Sequence, residues 1–469
     1  MRLRRLALAV LFTAVAGVSA SSAAAAPAEV PPCQEGMLCR EVIVPLDWSG
    51  ERPGELELDV RVSEGTGPLL LFLAGGPGQS SSGHVEYVRS WFESLAPEYR
   101  IAVLDQRGTG ATAIRCSGLQ RLPLTDLTVR PRRAVRACGG ELGFRRSFYS
   151  TASTVRDIEA IREELGVDRM ALMGTSYGTY VATRYARTFP DRVSRLILDS
   201  VVPQENVDPM LRVHMRRVAK VLRWECGAGR CGFRSDPAMD LARLVAKRPH
   251  LGRVPGTNTR LRVDGPALLD WMTTILSFMP KDIATAGRGI HRAARGEYRT
   301  LLRAAHKART TFGAEPAESL SWGLHAATLC SDAGLPFSIG RGDRASRIAS
   351  TARYLSRSPK RSFWPFDAAT AIGNGIVQTC ADWPRTEVAS PPRPGEISQP
   401  TLILAGQYDL STPVEYARRE LRRAPRGKLV VVPKVGHAVA FQRRCSAEAL
   451  SAFLKGRLRG DPCRAGGTS

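Results

Sequence analysis

Residues 170–180 read Met170-Ala171-Leu172-Met173-Gly174-Thr175-Ser176-Tyr177-Gly178-Thr179-Tyr180. The apolar run 170–173 predicts a short buried strand, and residues 179–189, small and apolar on one side, predict a helix. Between them Gly174-x-Ser176-x-Gly178 places a serine on the turn. A strand that passes straight into a helix around a serine is a nucleophile elbow. Without a Cβ at Gly174 and Gly178 the two elements can approach closely while Ser176 holds a strained backbone conformation. Its Oγ then projects from the sheet edge, and the N-terminus of the following helix favours negative charge developing nearby. In a chain with 43 glycines the pentapeptide alone proves little. Its weight comes from the flanks.

Outward toward the N-terminus, Arg100–Leu104 predicts another buried strand, followed by Asp105-Gln106-Arg107-Gly108-Thr109-Gly110. Pro68–Leu73 is apolar throughout, as a central strand buried on both faces requires. It ends in Ala74-Gly75-Gly76-Pro77-Gly78, a loop that can aim backbone N–H groups at a ligand atom. Residues 40–46 and 56–62, where Leu56, Leu58, Val60 and Val62 alternate with polar residues, predict antiparallel strands at one edge. Residues 154–165 carry Val155, Ile158, Ile161 and Leu165 at helical spacing, with Thr154-x-x-Asp157 as a candidate capping box. Outward toward the C-terminus, Val193–Leu198, Thr401–Ala405 and Lys428–Val432 predict further strands. A last helix is expected over 441–457. Strand and helix alternate as in a parallel sheet covered on both faces.

The alternation breaks at about 203. Residues 203–395 are Arg- and Ala-rich and mostly helical in period, and the Pro-rich stretch 390–394 returns the chain to the sheet. The expected organisation is therefore an α/β core in two parts, 27–202 and 396–469, around an inserted helical cap, 203–395. Residues 1–26 read as a signal peptide: Arg2, Arg4 and Arg5, an apolar stretch from Leu6 to Val18, then small residues. That apolar core of about 13 residues is short of the roughly 20 a spanning helix needs, and no later stretch is long enough, so stable membrane insertion is not expected. The expected address is extracellular.

Net charge is +23, yet of 67 basic residues only eight are lysine and the arginines are scattered. No basic run is interleaved with stacking aromatics, so nucleic acid is not an expected partner. Ten cysteines behind an export signal predict disulfides. Pairing each cysteine with its sequence neighbour is the simplest connectivity, with 330–380 tying two parts of the cap and 445–463 clamping the tail. No Cys-x-x-Cys or Cys/His spacing suits a metal, and no cofactor is implied.

A serine hydroxyl needs a base to take its proton as it attacks, and that base needs an acid to fix its tautomer. His437 follows the last strand and Asp409 the strand before it, both at the carboxyl edge where Ser176 emerges. The order Ser176…Asp409…His437 is the one this elbow requires. Asp332 and Asp382 are rival acids, but both fall in the cap. An oxyanion hole is expected from the N–H of Tyr177 and of Gly76, with Gly75 the alternative.

Together Gly75-Gly76-Pro77-Gly78, Asp105–Gly110, Gly174–Gly178 and the closing Gly436-His437 resemble the prolyl and tripeptidyl aminopeptidase group of α/β-hydrolases. The secreted tripeptidyl aminopeptidase-like members of actinobacteria are the most similar, and Ala327–Asp332 and Cys380–Pro384 in the cap look like that subgroup. Ala74 departs from the pattern, standing where many relatives have histidine. The resemblance implies an α/β-hydrolase fold and a serine exopeptidase acting through an acyl-enzyme on peptides with a free N-terminus. An aminopeptidase must read that ammonium with a carboxylate facing the pocket; Asp332 and Asp199 are the expected readers. The alternative is a carboxylesterase or lipase with the same triad. Nothing in the sequence sets the oligomeric state.

Overall fold

The computed structural model describes residues 33–121, 132–389 and 391–464. The expected signal peptide lies outside them. The strands are β1 (Met37–Pro45), β2 (Glu55–Ser63), β3 (Leu69–Leu73), β4 (Arg100–Leu104), β5 (Met170–Thr175), β6 (Val193–Asp199), β7 (His250–Arg253), β8 (Arg260–Val263), β9 (Thr401–Gly406) and β10 (Gly427–Val432). Eight of them form one sheet in the order β1-β2-β4-β3-β5-β6-β9-β10. β1 and β2 run antiparallel at one edge and the other six are parallel.

All five residues of β3 are buried, as a strand covered on both faces demands. Leu69, Leu71 and Leu73 point into a core with Ile158 and Tyr180, from the helices Thr151–Glu164 and Tyr177–Thr188. Leu70 and Phe72 point the other way, to Phe92 and Phe453 on the helices Val85–Leu95 and Arg444–Leu454. In β2 Leu58, Val60, Arg61 and Val62 are buried while Glu55 and Glu57 are exposed, so the start of the strand stays wet. The fold is an α/β-hydrolase sheet between two helical layers.

Between β6 and β9 the chain builds a separate, mostly helical body around its own core of Leu269, Ile275, Ile290 and Leu301. It also holds the antiparallel hairpin β7–β8, which the helical reading missed. Four-residue strands are too short for their alternation to stand out from a helical period. Two other expectations are corrected. The helix expected from 154 starts at Thr151 with Ser150 as its cap, so Thr154 and Asp157 lie inside it. Asp157 instead accepts hydrogen bonds from the buried Arg107 at 2.5 and 2.6 Å and from the Trp48 indole at 2.9 Å. The last helix is Arg444–Leu454, shorter than expected at both ends.

Five disulfides join 33–39, 116–138, 226–231, 330–380 and 445–463, each cysteine to its sequence neighbour. Cys330–Cys380 ties the helix Trp322–Asp332 to the helix Gly375–Asp382. Among the described residues no helix is long and apolar enough to cross a membrane.

Candidate active site

β5 delivers Ser176 to the carboxyl edge of the sheet, where its backbone adopts φ 56° and ψ −125°. That geometry is costly for a residue with a side chain and is held by its surroundings. The Ser176 N–H donates to the Asp199 carbonyl at 2.9 Å. A Cβ on Gly174 would fall 2.3 Å from the Gly178 carbonyl oxygen, and one on Gly178 would fall 2.2 Å from that of Leu73. Only glycine lets strand, turn and helix pack this closely.

The loop after β3 runs beside the elbow: a Cβ on Gly75 would lie 2.9 Å from the Cβ of Ser176. What holds the loop is Asp105, at the end of β4. Its carboxylate accepts from Ser80 Oγ (2.9 Å), Ser81 N (2.7 Å), Ser82 N (2.9 Å) and Ser82 Oγ (2.6 Å). The same loop pairs with the inserted body: Ser321 N donates to the Gly78 carbonyl at 2.8 Å and Ser80 N to the Ser319 carbonyl at 3.0 Å.

Asp409 follows β9 and is fully buried. Its Oδ2 lies 2.9 Å from His437 Nδ1 and accepts from Thr412 Oγ1 at 2.7 Å. Its Oδ1 accepts from Ser411 N and Thr412 N, each at 2.8 Å, and from Ser277 Oγ at 2.9 Å. Burial alone would raise this carboxyl, but the charge and hydrogen bond of His437, with the Thr412 donors, bring it down to about 2. His437 is buried too, which by itself disfavours its charge; the Asp409 carboxylate outweighs this and holds the imidazole above its ordinary value. An ionised carboxylate only accepts, so Nδ1 carries the proton and Nε2 is left as an acceptor.

The acids expected to read an ammonium are placed elsewhere. Asp199, at the end of β6, is buried and accepts from Val439 N at 2.9 Å and Ala440 N at 3.0 Å. It anchors the loop that carries His437. Asp332 accepts from the N–H of Thr151 at 3.3 Å and from the Thr151 hydroxyl, with the Tyr177 hydroxyl 3.5 Å away. It caps the helix Thr151–Glu164 behind the elbow, and burial raises its carboxyl. Neither lines the cleft.

That cleft has Gly76, Ser176 and Tyr177 on the sheet side and Asp270, Thr273 and Thr274 among its residues from the insertion. Asp270 is the one carboxylate among the described lining residues, 7% exposed, with Thr274 Oγ1 at 3.4 Å from its Oδ1. Sequence reasoning missed Asp270 and Ser277. A buried polar residue on a helix of unknown orientation leaves no signal in the sequence. Thr412 did leave one, three residues after Asp409, the spacing of a side chain that closes a turn on its own backbone.

Residues 68–225 match a family described as alpha/beta hydrolase fold, and residues 365–461 match one described as TAP-like protein. With the sheet described above, these matches give the chain an α/β-hydrolase fold. Over 437 residues this α/β-hydrolase is 26% identical to the tripeptidyl aminopeptidase of Streptomyces lividans, covering 84% of this chain and 76% of that one. Over 489 residues it is 26% identical to the serine protease Hip1 of Mycobacterium tuberculosis, covering 92% and 89%. A probable proline iminopeptidase of Streptomyces coelicolor is 32% identical over 145 residues, 31% of this chain and 36% of that one. This α/β-hydrolase is an enzyme, a serine hydrolase whose relatives are serine peptidases.

Proposed function

We propose that this enzyme is an exported serine exopeptidase that releases short N-terminal peptides. Ser176 Oγ attacks the scissile carbonyl while His437 Nε2 takes its proton and Asp409 steadies the imidazolium. The N–H groups of Tyr177 and Gly76, with Gly75 as the alternative second donor, receive the oxyanion. His437 returns the proton to the leaving amine, and water activated by the same base releases the acyl group. The names of the two relatives aligned over most of their length support a peptidase. Five disulfides and the basic-apolar-small order of residues 1–26 support export.

One observation carries the exopeptidase reading. A half-enclosed cleft beside Ser176 contains a single carboxylate among its described residues, Asp270. A carboxylate on the cleft wall offers a free amino terminus a charged hydrogen-bond acceptor, which neutral acyl chains do not need. In this reading Asp270 takes the role expected of Asp332 or Asp199. The test compares initial rates on mono-, di- and tripeptidyl chromogenic amides, free and N-acetylated, beside short acyl esters. Acetylation should remove about ten- to more than hundredfold of the rate, the worth of one charged hydrogen bond. Equal rates on both forms, with faster ester cleavage, would instead favour a carboxylesterase.

A further inference from the structure

The acid and base of the triad are held by a residue outside the sheet. Ser277, fully buried, follows the helical turns 271–276 of the insertion. Its hydroxyl donates to Asp409 Oδ1 at 2.9 Å and accepts from Leu410 N and Ser411 N, both at 3.0 Å. Its carbonyl accepts the N–H of His437 at 2.8 Å. A Cβ on Gly436 would fall 1.8 Å from that carbonyl oxygen, so only glycine at 436 lets the His437 loop meet Ser277. The next residue, Phe278, sets its ring edge-to-face against the His437 imidazole at 5.0 Å between centroids.

We propose that Ser277 is a positioning residue of the triad, fixing the Asp409 carboxylate and the His437 backbone in one frame. The proposal rests on reading Ser176, Asp409 and His437 as that triad. The sheet brings the loops after β9 and β10 to the same edge, but four of the hydrogen bonds that orient them come from this one residue of the insertion. The same helical segment lines the cleft through Asp270, Thr273 and Thr274. The wall that touches substrate and the brace that holds the acid are therefore one element. A shift of that wall reaches Asp409 without passing through the sheet.

The test uses the whole enzyme and a fluorophosphonate, which reports on Ser176 activation without needing a peptide pocket. Ser277→Ala should lower the second-order labelling rate about ten- to hundredfold, as expected for loss of a hydrogen bond to a charged group. The pH midpoint of labelling should move upward. A carboxylate no longer shared with a hydroxyl holds the imidazolium more strongly. The downfield proton resonance of His437 Nδ1 should move with it, and Ser277→Thr, which keeps the hydroxyl, should restore most of the rate. If the alanine variant does not fold, Ser277→Cys keeps the volume with a weaker donor and should show the same shifts in smaller measure. Wild-type rate, pH midpoint and resonance in either Ser277→Ala or Ser277→Cys overturn the proposal alone. Failure of the wild type to label at Ser176 overturns the triad and this proposal with it.

Discussion

The sheet and the insertion furnish the same cleft, but they hold their polar residues in different ways. At the sheet edge each functional side chain sits just past a strand, and short-range backbone geometry aims it: Ser176 on the elbow, Asp409 after β9, His437 after β10. In the insertion, Asp270, Ser277 and Phe278 come from helical turns whose direction depends on how a whole helical body docks. The sheet thus sets where the reacting side chains sit, while the insertion braces two of them. The insertion carries the cleft wall and the brace on one helical segment.

The largest test of that contrast is Ser176→Ala. It should remove turnover and phosphonate labelling while thermal unfolding stays near wild type, because the elbow depends on its glycines. Adding His437→Ala should cost little more, since triad members act as a unit. An adduct on another residue would break the assignment.

Arg107→Ala probes the sheet side for stability. Asp157 is raised by burial even with Arg107 beside it, so desolvation outweighs the pairing and the lone carboxylate is worse still. Breaking such a pair costs about 3–5 kcal/mol, while replacing both partners by apolar residues recovers much of it. Chemical denaturation of Arg107→Ala and of Arg107→Met with Asp157→Leu separates the two. Equal losses in both would show that the shape of the pair, not the stranded charge, matters.

Asp270→Asn sharpens the insertion side. Rates on free-amine peptides should fall about ten- to hundredfold, while acetylated peptides and phosphonate labelling should hardly change. A uniform loss on all three would make Asp270 a support of the wall and not a reader of the substrate.

The smallest effect is on pH. In the proposed mechanism catalysis needs neutral His437, and Asp409 holds its pKa above the ordinary 6.5. The acid limb of kcat/KM should therefore have its midpoint above that value, rising with pH. With its carboxyl near 2, Asp409 adds no limb of its own in the working range. A midpoint below 6.5 would mean that burial, and not the carboxylate, governs the imidazole.

What the sequence made legible follows the same divide. An unbroken apolar strand such as β3 and a glycine-flanked serine have local signatures, so the strands, and the places of Ser176, Asp409 and His437 just past them, could be read in order. The disulfide pairing also came through, because neighbouring cysteines close short loops. Asp332 and Asp199 were misread because a carboxylate beside a site is equally suited to holding backbone, and only three-dimensional packing shows which it does. In the structure one caps the helix behind Ser176 and the other anchors the loop of His437. The cleft-lining face of the insertion was illegible for a related reason. Helical periodicity separates apolar from polar positions, but not a face turned to substrate from a face turned to the sheet.

The insertion meets the sheet domain at two seams, the two-way backbone pairing between residues 78–80 and 319–321 and the brace at Ser277. An insertion sewn to the sheet domain at two seams does not work like a door on one hinge. Its clearance is a dimension of the fold, as the bore of a gauge is a dimension of the metal. For the exopeptidase proposed above, such a bore would do the counting: an end passes and a folded middle does not. Exchanging this insertion for that of a relative would then have to match two seams at once, which makes substrate length a slow trait to change and side-chain preference, written on the wall between the seams, a quick one.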